Sequence, residues 1–246
     1  MMTFIATPRV SKPLVVARSP IPRANLALWL RADRGVVLDT TSTPTVARWE
    51  DQSGKGRHAT QSTKTKQPVV VLGVNNNNAI RFTASALQSL AGAFGSFLNT
   101  SRTIYIVASL AQVTYGMTLL DLSNSSNVTN SGSLIIKEGS SLKFRRTNAA
   151  DTSTPFTYDT AWNIYTFSAS LTSASGFVNG GLVVTSSLVA SYADSRFFRI
   201  GSLVSEAANY YLDGSVAEVL VYEGIHSGTA RSKVWDYLSK KYAIIL

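Results

Sequence analysis

The chain contains no cysteine. That removes disulfides, thiolate metal sites and a cysteine nucleophile together, so the fold has to hold by burial. Histidine is nearly as scarce: His58 and His226 are the only two and lie far apart, which argues against zinc. Charged residues make up only 15% of the 246. No apolar run approaches the ~18 residues of a membrane-crossing helix. The longest runs, 69–74 and 104–111, are strand-sized. Residues 1–6 lack a charged segment followed by a long apolar core, so the expectation is a soluble chain without a secretory leader, either cytosolic or released by cell lysis.

What is present suits strands joined by polar turns. Hydrophobic residues reach 45%, with abundant Ser, Thr, Asn and Gly. The 23 Lys and Arg against 14 Asp and Glu give a net charge of +9, which favours anionic partners: nucleic acid, acidic glycans or an acidic protein surface. Apolar patterning predicts strands over 26–31, 46–49, 67–72, 79–82, 101–108, 117–122, 133–137, 142–145, 162–168, 196–200 and 215–222. Asn179-Gly180 marks a further hairpin. In 101–108, Ile104, Ile106 and Ala108 alternate with Thr103, Tyr105 and Val107; both faces are partly apolar, which predicts a central strand. Ala230, Val234, Leu238 and Tyr242 fall four apart and predict a closing helix, capped by Thr229 and ending at Lys240 and Lys241.

The organising stretch is 48–61. A short strand ends at Trp49, then Asp51, Ser53, Gly54 and Gly56 supply turn geometry. Residues 1–24 are set apart. Pro8, Pro13, Pro20 and Pro22 block helix and interior strand, and Arg9, Lys12, Arg18 and Arg23 have no acidic neighbour. Phe4, Ile5, Leu14, Val15 and Val16 supply apolar anchors. The reading is an extended arm over 1–24 that docks on neighbouring subunits, followed by one domain over 25–246.

Catalytic patterns are missing. A retaining glycosidase needs two carboxylates about 5–5.5 Å apart, and no strand carries acids at the required spacing. Glu50 and Asp51 are adjacent, and Glu218 and Glu223 differ in parity. There is no Gly-x-Ser-x-Gly elbow. Gly54-Lys55-Gly56 lacks the rest of a phosphate loop. Asn99, Asn124 and Asn127 match glycosylation sequons, read as chance matches. No cofactor is expected; calcium on Asp51, Asp121, Asp194 or Asp213 is the metal alternative, although no Asp-x-Asp-x-Asp spacing occurs.

Leu28-Trp29-Leu30-Arg31-Ala32-Asp33, residues 46–61, Gln67-Pro68 and Ile80-Arg81-Phe82 resemble the concanavalin A-like, laminin-G-like jelly-roll family. Arg199-Ile200-Gly201-Ser202, residues 212–222 and the closing helix are similar to that family's ending. The resemblance implies two antiparallel sheets over about 25–246. It also implies that Trp49, Asp51, Ser53, Gly54, Glu218 and Tyr222 join strand ends and loops. The fold hosts many functions. The functional expectation is a non-catalytic structural or adhesion protein, foremost a bacteriophage virion component held by its arm and oligomeric in the assembly. The alternatives are a carbohydrate-binding module at the cell surface or outside the cell, using Tyr105, Tyr115, Tyr192, Tyr210 and Tyr211, and, third, a jelly-roll glycosidase or polysaccharide lyase.

Overall fold

The computed structural model describes residues 19–40, 42–95, 101–111, 116–123, 133–138, 141–146, 151–154, 159–187, 196–206 and 208–246. Among them are seventeen strands and one helix. In chain order the strands are β1 Leu26–Arg31, β2 Val36–Leu38, β3 Val46–Trp49, β4 Ala59–Thr60, β5 Val69–Leu72, β6 Asn78–Phe82, β7 Leu90–Ala93, β8 Arg102–Leu110 and β9 Met117–Ser123. They continue as β10 Ser133–Glu138, β11 Ser141–Arg146, β12 Asp151–Thr154, β13 Trp162–Ala169, β14 Ser173–Val178, β15 Gly181–Ser187, β16 Phe197–Ile200 and β17 Gly214–Glu223. Helix α1, Gly228–Tyr242, follows. The strands missed by the sequence patterning, β2, β4, β7 and β12, are two to four residues long, too short to show a period.

Two antiparallel sheets result. One runs β15-β14-β13-β8-β17-β6-β5, with β1 also paired to β17; the other runs β12-β11-β10-β9-β16-β7-β4-β3-β2. Their facing sides form the larger core around Trp49, Phe82, Ile106, Leu120, Phe144, Phe167 and Val219. A second core lies on the outer side of the first sheet, where Val234, Leu238 and Tyr242 of α1 meet Tyr105, Val107, Ile164, Leu220 and Tyr222. Both faces of β8 are therefore buried, which is why its sequence is apolar on both parities. The helix cap differs from expectation. Ser227, not Thr229, accepts from the Ala230 N–H, so the helix begins at Gly228.

β17 carries a bulge: Val216 pairs with Ala108 but Glu218 pairs with Val107, leaving Ala217 extra. The slip puts Glu218 on the helix side, with Leu220 and Tyr222, instead of in the inter-sheet core with Val216 and Val219. There the carboxylate has no exposed surface. Oε1 accepts from Trp29 Nε1 (2.6 Å) and the Tyr237 hydroxyl (3.0 Å). Oε2 accepts from Lys241 Nζ (2.7 Å) and the Tyr242 hydroxyl (2.8 Å). Lys241 also reaches Asp33 Oδ1 (3.1 Å), which pairs with Arg31. One carboxylate thus ties β1, β17 and α1 together.

The stretch 48–61 is organised by Asp51. Its Oδ1 accepts from the backbone N–H groups of Trp29 and Ser53, both at 2.9 Å. Its Oδ2 accepts from Ser53 Oγ (2.7 Å) and the Arg57 N–H (3.1 Å). The Asp51 N–H donates in turn to His58 Nδ1 (3.1 Å). Gly54 turns through φ +90. Trp49, with no exposed surface, packs beneath in the inter-sheet core.

Of the segment read as an arm, residues 1–18, with Phe4, Ile5, Arg9, Leu14, Val15, Val16 and Arg18, lie outside the described residues. Residues 19–24 lie against the sandwich. Ile21 is buried in the helix-side core, and the Pro22 carbonyl accepts from the Tyr222 hydroxyl (3.1 Å).

Candidate functional site

A groove of about 690 Å³ crosses the outer side of the second sheet. Strand alternation builds its floor. Ala59, Leu90, Phe198 and Ile200 point into the core. Their neighbours Thr60, Ala91 and Arg199 therefore point out and line the groove. Arg48 of β3, the segment 61–63, Lys66, Gln67 and Glu206 form its rim.

Among the described residues, Glu206 is the only acid in this lining. It sits at φ +54, a left-handed conformation that is strained for a side chain of its size. Two cations hold it: Arg199 Nη1 donates to Oε1 (2.6 Å) and Lys66 Nζ to Oε2 (3.2 Å). Partial burial alone would raise its carboxyl; Arg199 and Lys66 outweigh that and hold it below the usual carboxylate range. Arg199 is itself braced by Ser89 Oγ (3.1 Å). Gln61 and Gln67 are committed inward, Gln61 Nε2 donating to the Ser89 carbonyl and Gln67 Nε2 to the Gln61 carbonyl. The groove thus offers an ionised acceptor beside guanidinium, ammonium and hydroxyl groups on a pre-formed surface.

Among the described residues this lining holds no general acid. Asp121, opposite Arg199 across β9 and β16, has its carboxyl pushed up to about 6 by burial, against the Val204 N–H and Arg199. It is 1% exposed under the 201–206 loop and does not line the groove. The two carboxyls have divergent proton affinities, as acid and nucleophile do, but only Glu206 can meet a substrate.

The remaining sequence-proposed residues are placed as follows. Tyr105 is fully buried on the helix side, its hydroxyl 2.8 Å from His226 Nδ1, and Tyr211 is 2% exposed. Neither can serve as a ligand platform: α1 and the chain before it cover Tyr105, and Tyr211 is buried with its hydroxyl 3.5 Å from Glu206 Oε2. Tyr210 is half-buried against Gly116. Tyr115 and Tyr192 are outside the described residues, as are Asp194, Asn99, Asn124 and Asn127. Asp51 is saturated by its loop and Asp213 pairs with Arg81. Among the described residues no three His, Cys, Asp or Glu gather as metal ligands. The groove residues Thr60, Thr63, Arg199 and Glu206 form no motif along the chain; strand pairing assembles them.

No family model matches the chain, and no curated protein matches it. Solved structures do resemble it. The botulinum neurotoxin type G receptor-binding domain has a TM-score of 0.61 at 14% identity, over 87% of this chain and 51% of that one. The serotype D ligand-binding domain in complex with N-acetylneuraminic acid scores 0.61 at 10% identity, over 87% and 51%. The binding domain of botulinum neurotoxin DC in complex with rat synaptotagmin II scores 0.61 at 13%, over 87% and 52%. The chain spans about half the length of these structures. At such identities the likeness is one of fold: a β-sandwich of two antiparallel sheets with a closing helix.

Proposed function

We propose that this chain is a non-catalytic binding module of the concanavalin A-like, laminin-G-like kind, and that it recognises a surface glycan through the groove on the second sheet. The observation that carries the reading is the clamped Glu206 carboxylate among Arg48, Lys66, Arg199, Thr60 and Thr63. Sugar hydroxyls donate and accept at once, and such a mixed, braced set answers both roles. The single reachable acid, held ionised, suits binding and not glycosidic cleavage. Two solved structures of the same fold are complexes with N-acetylneuraminic acid and with rat synaptotagmin II, which is consistent with a binding role. On a glycan array the full chain is expected to give defined hits, and Glu206→Gln or Thr63→Ala to weaken them about tenfold or more, about 1.4 kcal/mol. An empty array, or hits indifferent to both substitutions, would defeat the reading.

The setting proposed for the module is a bacteriophage virion, as a capsid-decorating, fibre or tail-associated component tethered by its N-terminal segment. Supporting this are the four prolines, the apolar anchors and the unbroken positive charge of residues 1–24. Ile21 and Pro22 pack against the helix side of the sandwich, which gives the segment a fixed attachment point. Removing residues 1–18 is expected to leave the melting temperature unchanged and to abolish assembly, read by sedimentation. Assembly that survives the truncation would rule the tether out.

A further inference from the structure

On the opposite side of the molecule, two adjoining clefts of about 360 and 430 Å³ share Ser19, Pro20 and Arg23. The first is completed by Trp29, Arg31, Arg34 and Gln52, the second by Ile21, Pro22 and Lys233. Among the described residues no acidic side chain lines either one. Arg31 is engaged by Asp33 through two hydrogen bonds, at 3.0 and 2.7 Å. Arg23 is aimed by neutral partners: Nε donates to Ser19 Oγ (2.9 Å), Nη1 to the Gln52 carbonyl (3.1 Å), and its guanidinium lies 4.5 Å from the centre of the Trp29 ring. That leaves three of its five N–H groups for a ligand. Arg34 and Lys233 have no side-chain hydrogen bond or ion pair among the described residues, and the Arg34 backbone is pinned by its N–H to the Arg31 carbonyl (3.1 Å). The sequence has no acidic residue before Asp33, so the preceding segment cannot supply the missing counter-charge.

We infer that the Arg23–Arg34 cleft is a second binding site, for a tetrahedral oxyanion carried as a phosphate or sulfate ester. Like charges gathered around a concavity repel one another until an anion enters. Guanidinium forks fit two oxygens of such a group at once. A nucleic-acid strand fits less well. The Trp29 ring is 3% exposed and lies beneath Arg23 and Arg31, so it offers no stacking surface to a base.

The test is an NMR titration of the full-length chain with sodium sulfate, methyl phosphate and a sulfated disaccharide, at ionic strength held constant with sodium chloride. Saturable shifts are expected at Arg23, Arg34, Gln52 and the Trp29 indole. Arg34→Ala is expected to weaken them about tenfold or more without lowering the melting temperature, since it removes a repulsive charge. Arg23→Lys, which keeps the charge but loses the fork, should weaken them too. Glu206→Gln should leave them unchanged, so failure of the glycan groove and failure of this site are separate results. Tighter binding of the disaccharide would assign the ester to a glycan, and equal binding to a free anion. Shifts that never saturate, that spread over all Lys and Arg, or that persist in Arg34→Ala would overturn the proposal.

Discussion

Replacing Glu218 with glutamine is expected to lower the free energy of unfolding by about 3–5 kcal/mol, the range found when one partner of a buried ion pair is removed. The carboxylate is wholly buried and accepts from Trp29, Tyr237, Lys241 and Tyr242. An amide keeps one acceptor oxygen, but it turns an NH₂ group toward Lys241 and Tyr242. Lys241 then keeps only Asp33 as an ionic partner, and that side chain is 27% exposed. Burial and the nearby Glu218 raise the Tyr237 and Tyr242 hydroxyls above the usual phenol range, so both stay neutral and act as donors. The charge of Lys241 is therefore the part that glutamine strands. Adding Lys241→Met to Glu218→Gln should recover about 1–2 kcal/mol, because the double variant leaves no uncompensated charge. Urea denaturation of the two variants measures both numbers. A Glu218→Gln variant within about 0.5 kcal/mol of the parent, or a double variant no better than the single, would show that the cluster does not hold the helix to the sheet.

That cluster also marks where sequence reading reaches its limit. The strands and the closing helix were legible because the longer strands alternate and the last segment changes to a four-residue spacing at Ala230, Val234, Leu238 and Tyr242, while their grouping into two antiparallel sheets was what the resemblance to the concanavalin A-like, laminin-G-like family implied. The partly apolar character of both faces of β8 marked it as a central strand, and it does lie between β13 and β17, with α1 covering its outer face. The bulge at Ala217 had no local signal. It arises from the mismatch between β17 and β8, and it alone decides which face Glu218 takes. Tyr105 and Tyr211 failed as ligand candidates for a related reason. Aromatic content says nothing about cover, and Tyr105 lies under the helix. The groove residues come from β3, β4, β7, β16 and two loops, so strand order assembles them and no spacing along the chain could. The Arg23–Arg34 cleft was half visible: the absence of acid before Asp33 could be read directly, but not the concavity.

Between pH 7 and pH 4 the parent is expected to change little in stability, while Asp121→Asn and His226→Gln acquire slopes of opposite sign. Burial raises the Asp121 carboxyl from 3.8 to about 6, against Val204 N–H and Arg199. The folded state thus binds this proton more tightly than the unfolded chain. Its contribution is complete below about pH 3.8 and is lost as the pH rises through 6, so acidification stabilises by about 2 kcal/mol. His226 runs the other way. Burial and then Arg231 lower it from 6.5 to about 4. It is packed 4.1 Å from the Tyr222 ring, with Nδ1 facing the Tyr105 hydroxyl. Burial raises that hydroxyl, so it stays neutral and hydrogen-bonds to the ring. Acidification here destabilises, also by about 2 kcal/mol once partial solvent exposure is allowed for. Asp33 and Glu206 are held below the ordinary carboxylate range, so their losses fall mainly below this window. Asparagine at 121 can still accept from the Val204 N–H. Its variant should gain stability at pH 7 and lose it toward pH 4, following the histidine alone. The His226→Gln variant should grow more stable over the same range, following the aspartate. Thermal unfolding of the three proteins at pH 7, 5.5 and 4 is the measurement. Parallel curves would mean that neither group titrates in this interval, and the compensation would be refuted.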